Sequence, residues 1–110
     1  MKIVYIAHPI AGDIDGNLIR ISAIIRMINL TYPEVVPFAH YFVDIHSLDD
    51  RVEVERNRGI KNDITFLKAG FINEMWLFGD KVSNGMQTEI KLARELNIPI
   101  FSKSVGTQNF

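Results

Sequence analysis

Short apolar runs rich in β-branched and aromatic residues alternate along this chain with longer stretches whose apolar positions recur every three or four residues. The first pattern predicts strands, the second amphipathic helices. Lys2–Ala7 is the first short run and suits a strand buried on both faces. His8-Pro9-Ile10-Ala11-Gly12-Asp13 breaks it with proline and glycine. From Asp15 to Leu30, the residues Leu18, Ile21, Ile24, Ile25 and Ile28 fall at helical spacing and predict a first helix with an apolar stripe. Tyr32-Pro33 ends that helix, and Glu34–Phe38 reads as a second short strand.

The segment His40–Leu48 is aromatic and irregular, which reads as loop or a short helix. Asp49 or Asp50 is placed to cap a long second helix running to about Lys68, with Ile60, Ile64 and Leu67 facing inward and Ala69-Gly70 stopping it. Phe71–Phe78 is the third strand candidate, Gly79–Asn84 a polar turn, and Gly85–Leu96 the last helix. Asn97–Phe101 adds a strand with proline near its start, and the polar tail Ser102–Phe110 reads as frayed or as used in assembly.

Strands alternating with helices imply crossover connections and a parallel sheet. The expectation is one three-layer α/β domain of the Rossmann or flavodoxin type. Its sheet is open, with four to five strands and helices on both faces. Four strands are plain; a fifth is placed either in His40–Ile45 or in the tail. A length of 110 residues leaves room for one core only.

Composition narrows the partners. Twelve basic residues against thirteen acidic give a net charge of −1, and no basic run interleaves with aromatics. That argues against a duplex nucleic acid. Small phosphorylated ligands stay open, because backbone amides bind them without a basic surface. With no cysteine, disulfides, thiolate metal sites and cysteine nucleophiles are excluded. The start MKIVYIAHPI does not have the make-up of a signal peptide, and no apolar stretch approaches the roughly 20 residues of a membrane span, so the expectation is a soluble cytoplasmic protein.

The sharpest candidate chemistry lies in GDKVSNGMQTEIKLA. Ser83 and Asn84 are good helix caps, Gly85 lets a ligand approach the backbone, and free amides at a helix start attract an anion. Glu89 follows one turn later with Gly85, Met86, Leu92 and Ala93 as its helical neighbours, so it projects from the apolar side. A carboxylate there needs a partner or a purpose. A capping or salt-bridging role at the core boundary is the plainer alternative. Tyr5, near the end of the first strand, is either a core residue or one whose hydroxyl orients a neighbouring carboxylate. His8, Pro9, Ile10 and Gly12 lie in the loop after that strand, where open parallel sheets contact ligands. Asp63 shares a helix face with Arg56, Ile60 and Leu67. It either pairs with an arginine or handles a proton beside Glu89.

His40, Asp44 and His46 would face one side of an extended segment, a weak metal pattern outweighed by other roles. Trp76 reads as core. Arg51, Arg56 and Arg58 with Glu53 and Glu55 read as a solvated, ion-paired helix face, with an arginine on a ligand phosphate as the alternative.

YIAHPIAG at the start and SNGMQTEIKLA near the end resemble the nucleoside 2-deoxyribosyltransferase-like superfamily, whose members exchange bases or cleave nucleoside 5′-monophosphates. The stretch from PFAHYF through LDD, MWLFGD and SNGMQTEIKLARELNIPI is similar to small, largely uncharacterised members, so the resemblance runs over residues 2–101. It implies that Glu89 is the nucleophile, that Tyr5 positions it, and that Asp63 contacts the base. It further implies that Ser83 contacts phosphate, as in the monophosphate hydrolases, whereas transferases carry an aspartate for the sugar there. Gly85 matches the glycine of the same turn. No cofactor is implied, and a homodimer or larger homo-oligomer is. Two positions depart from the pattern: Asn73 replaces an acidic residue, and His8 stands where many relatives have glycine. The implied function is an N-glycosidase or deoxyribosyltransferase acting on a nucleoside or nucleotide. Capture of a nucleotide-derived ligand without turnover, or a purely structural role, are the alternatives.

Overall fold

Val4, Tyr5, Ile6 and Ala7 have no exposed surface, which makes strand β1 (Lys2–Ala7) the centre of the fold. The computed structural model describes residues 1–110. After β1 come α1 (Ile14–Thr31), β2 (Val35–Phe38), α2 (Tyr41–Ser47), α3 (Glu53–Lys68), β3 (Glu74–Leu77), α4 (Asn84–Glu95) and β4 (Ile100–Ser102), then a 3₁₀ turn at Val105–Thr107. The four strands form one parallel sheet in the order β2-β1-β3-β4.

Alternation along β1 divides the core between two faces. Tyr5 and Ala7 pack with Leu67 of α3 and with Met86, Ile90 and Ala93 of α4. Val4 and Ile6 pack with Ile28 of α1, Val35, Trp76 and Phe78. The result is an open three-layer Rossmann-like α/β domain, with α1 on one face and α3 and α4 on the other. From β1 the chain moves out to β2, then crosses back over β1 to β3. The order therefore reverses between β1 and β3. A crevice opens at the carboxyl ends of such a strand pair, where ligands bind in this class of sheet.

The sequence places β1 and the α1 stripe correctly, and the structure corrects it elsewhere. There is no fifth strand: His40–Ile45 enters α2, and the tail carries only the 3₁₀ turn at Val105–Thr107 after Ser102 closes β4. The tail is tied down, not frayed. Thr107 is fully buried with its hydroxyl 3.3 Å from the Leu77 carbonyl, and Ser104 Oγ accepts from the Gly79 amide at 3.1 Å. The third strand is shorter than Phe71–Phe78, because Asn73 turns its side chain onto the Ile3 amide at 2.7 Å and only then does the ladder begin. Helix α3 starts after Val52, without a side-chain cap, since Asp49 spends its carboxylate on the Arg51 amide and guanidinium. Ile60 is 48 % exposed instead of inward; it stands on the wall of the crevice.

Candidate active site

The first strand, the third helix and the fourth helix meet at one hydroxyl. Tyr5 points from β1 toward α3 and α4, and its Oη lies 2.5 Å from Asp63 Oδ1 and within hydrogen-bond contact of Glu89 Oε2. Tyr41 of α2 backs this group: its ring packs at 6.0 Å from that of Tyr5, and its hydroxyl donates to the Ile6 carbonyl. Tyr5 is sealed beneath the site, while Asp63 and Glu89 open onto a cavity of about 500 Å³. Glu89 is thus closely surrounded by protein yet keeps part of its surface toward that cavity.

A tyrosine brings one proton, and it cannot donate to two carboxylates at once. Contact with both requires a second proton on the carboxyl pair. The electrostatics agree. Burial, then the charge of Asp63 and a hydrogen bond with it, hold the Glu89 pKa well above the ordinary carboxylate value, against a lowering bond from Tyr5. Burial also raises Asp63, opposed by its bonds to Glu89 and Tyr5. Burial and the two carboxylates push Tyr5 well up, so it stays a donor. Burial and the closeness of the two carboxyls thus favour a proton held between them.

The upper wall comes from the two loops at the switch point. Ser83 caps α4, its Oγ accepting from the Met86 amide at 3.3 Å. Ser83, Asn84 and Gly85 all line the cavity. A side chain on Gly85 would meet only Ser83 Oγ, at 4.0 Å, so the bare backbone faces open space. His8 and Ile10 line the same cavity, whereas Pro9 and Gly12 do not. Pro9 fills the space over Gly79, where a Cβ would stand 2.5 Å from its ring, and so joins the loop after β1 to the turn after β3. Of the residues singled out from the sequence, Tyr5, Asp63, Glu89, His8, Ile10, Ser83, Asn84 and Gly85 are thereby brought together.

The lower wall was largely missed. Tyr41, Ile45 and Leu48 of the α2 segment line the cavity at a helical spacing that was already present in the sequence. Asp44 also lines it, 3.5 Å from His40 Nε2 and 3.4 Å from Asn62 Nδ2. Because the segment is helical, His46 turns away and bonds the Phe42 carbonyl, which undoes the extended-strand geometry behind the metal reading. No group of three or more potential ligands is arranged to hold a metal ion. Arg56 and Glu55 border the cavity too, so the helix face expected to be solvated is partly the rim of the site. The Arg56 guanidinium reaches the Asp50 carbonyl at 3.3 Å and no carboxylate, and the ion pair in this region is Arg51 with Asp49.

Fold and cavity together define an open parallel α/β domain with two carboxyl groups meeting on a tyrosine hydroxyl at its topological switch point. The chain belongs to the DUF7768 family, a domain of unknown function whose pattern matches residues 2–103. No curated protein and no solved structure matches it. No helix is long and apolar enough to cross a membrane.

Proposed function

We propose that the cavity binds a nucleoside or nucleoside 5′-monophosphate and that Glu89 breaks its N-glycosidic bond. The observation that carries this reading is the convergence of Glu89 and Asp63 on the Tyr5 hydroxyl at the cavity floor. In the reactive arrangement the shared proton sits on Asp63 and Tyr5 donates to the Glu89 carboxylate. A Glu89 oxygen forms the bond to the anomeric carbon while the bond to the base breaks, and the base takes the Asp63 proton. Water, giving its proton to Asp63, or a second base then releases the sugar and restores Glu89. Carboxyls that flank a glycosidic bond in this chemistry stand about 5 Å apart. Asp63 therefore has to swing off the tyrosine toward the base. No metal or organic cofactor is needed for these steps.

The test is incubation with a panel of nucleosides and monophosphates, followed by chromatography for free base. The parent releases base, and Glu89→Ala loses at least about a thousandfold in rate. A variant as fast as its parent on every compound would end the reading. The same reading carries a homodimer or larger assembly, measurable by sedimentation velocity.

Binding without turnover is favoured by one observation. Burial and the neighbouring Asp63 carboxyl raise the Glu89 pKa, and the protonated form they favour is no nucleophile. Tight calorimetric binding with the ligand recovered intact after long incubation would select this alternative.

A further inference from the structure

His8 follows β1 directly, is 6 % exposed, and still lines the cavity. Its Nδ1 stands 2.7 Å from the carbonyl oxygen of Pro9. A carbonyl oxygen only accepts, so Nδ1 carries the hydrogen. In the neutral ring that leaves Nε2 as an acceptor. Nε2 hydrogen-bonds no protein group, and it is not sealed from solvent. A nine-tenths buried ring thus carries a free lone pair beside Gly79, where the turn after β3 adjoins the candidate site.

We propose that His8 is a specificity-determining residue: its Nε2 accepts a hydrogen bond from a hydroxyl of the ligand's sugar and turns a phosphate oxygen away from the same place. The inference rests on the nucleoside reading above and deepens it. Attack by Glu89 on the anomeric carbon seats the sugar between α4 and the strand ends, which brings its hydroxyls toward the loop after β1. A hydroxyl supplies the proton that Nε2 lacks, whereas an ionised phosphate oxygen would set acceptor against acceptor.

The charges around the ring point the same way. Burial keeps the imidazole neutral by lowering its pKa, and Arg20 of α1 adds to this; the Pro9 bond and Asp80 in the turn after β3 work against it. Among the residues lining the cavity, five carboxyl side chains (Asp44, Asp50, Glu55, Asp63 and Glu89) face two lasting cations, Arg56 and Lys81. A dianionic ligand therefore meets more like charge than opposite charge.

The experiment is calorimetric titration of adenosine, its 2′-, 3′- and 5′-deoxy analogues and adenosine 5′-monophosphate, with the matching cytidine set, alongside chromatography of released base. Parent, His8→Phe and His8→Gln are compared. The parent binds nucleosides more tightly than their monophosphates. In His8→Phe the affinity for nucleosides falls about tenfold, the worth of one ordinary hydrogen bond, while the 5′-deoxy analogue and the monophosphate, neither of which carries a 5′-hydroxyl, lose nothing. His8→Gln, whose amide oxygen accepts, keeps the discrimination among the deoxy analogues, and it supplies the answer if the phenylalanine variant does not fold. Moving from mildly alkaline to mildly acidic solution narrows the preference for nucleosides more in the parent than in His8→Phe, where only the phosphate's own protonation acts.

An equal loss for every ligand in His8→Phe would mean that the ring only packs, and would overturn the proposal. Tighter binding of monophosphates by the parent at neutral pH would overturn it as well, with the nucleoside reading intact. No binding and no base release anywhere in the panel would remove both together.

Discussion

Glu89 is a poor choice for stability, which is informative about why it stands where it does. Its raised pKa means that the folded chain holds a proton which the unfolded chain releases near pH 4.3 or so. Above that value the unfolded state binds fewer protons, so stability falls as the pH rises toward the native pKa. Glu89→Gln removes that cost while keeping the shape. We expect it to raise the melting temperature by several degrees at about pH 8, on the order of 1–2 kcal/mol, and by less at about pH 5. Thermal melts at the two pH values check this, and a variant less stable than its parent at the higher pH would contradict the shared-proton geometry. His8 acts in the opposite sense. Burial lowers its pKa, so the stability it permits is complete above its ordinary value of about 6.5 and declines as the pH falls. At this scale the site was half legible. Glu89 betrays itself because a carboxylate on an apolar helix face is conspicuous, and Tyr5 because a hydroxyl in an all-apolar strand needs a partner. Lys81 and Asp50 give no such signal, since a charged residue in a loop looks the same whether it faces a cavity or bulk water.

The element that matters most is α4, because one helix start both closes the turn after β3 and aims Glu89. Its first turn is held by Ser83 Oγ on the Met86 amide, and its buried face by Met86, Ile90 and Ala93. Ser83→Ala removes the cap and should cost about 1 kcal/mol, read as a lower midpoint in urea with an unchanged slope. Ser83→Asp restores the acceptor and should recover that stability, yet it sets a carboxylate on the cavity wall. Its expected signature is parent-like melting with weakened binding of adenosine 5′-monophosphate. If the aspartate variant melts as low as the alanine one, the hydroxyl is not acting as a cap. Elements with a strong pattern were readable in advance: α1 carries five isoleucines and leucines at helical spacing, and β1 is a run of apolar and aromatic residues after Lys2. The failures have a common cause in local competition for backbone groups. Asp49 was eligible to cap α3 but bonds Arg51 instead, and Asn73 delays β3 by engaging Ile3, choices that depend on partners distant in sequence or on turn geometry. Helix α2 stood beside loop and strand as readings of His40–Leu48, because its aromatic residues favour strands while its spacing fits a short helix.

Across the whole molecule the sheet separates two cores with different duties. The cluster around Val4, Ile6, Ile28 and Trp76 lies on the α1 face, and the cluster around Tyr5, Met86 and Ile90 lies on the face that carries the cavity. Ile28 and Met86 are both essentially unexposed, so truncating either leaves a void and costs about 2–5 kcal/mol. A domain with an ordinary stability of about 5–15 kcal/mol survives one such loss. The two losses should differ in their reach. Side chains alternate sides along a strand, so a void at Ile28 opens on the α1 face among Val4, Ile6 and Trp76 and removes no packing partner of Tyr5 or α4; Ile28→Ala should lower the urea midpoint and leave adenosine affinity within about twofold. Met86 stands at i−3 from Glu89 on the helix that presents the carboxylate, and it packs in the cluster that seats Tyr5. There the void lets α4 and the tyrosine shift together, and a displacement of about 1 Å at reacting groups is enough to cost up to a hundredfold in rate. Met86→Ala should therefore lower stability and base release alike, measured on samples shown by urea titration to be folded. Equal damage to release from both variants would mean that the sheet does not insulate one core from the other, and that the site depends on the packing of the entire domain.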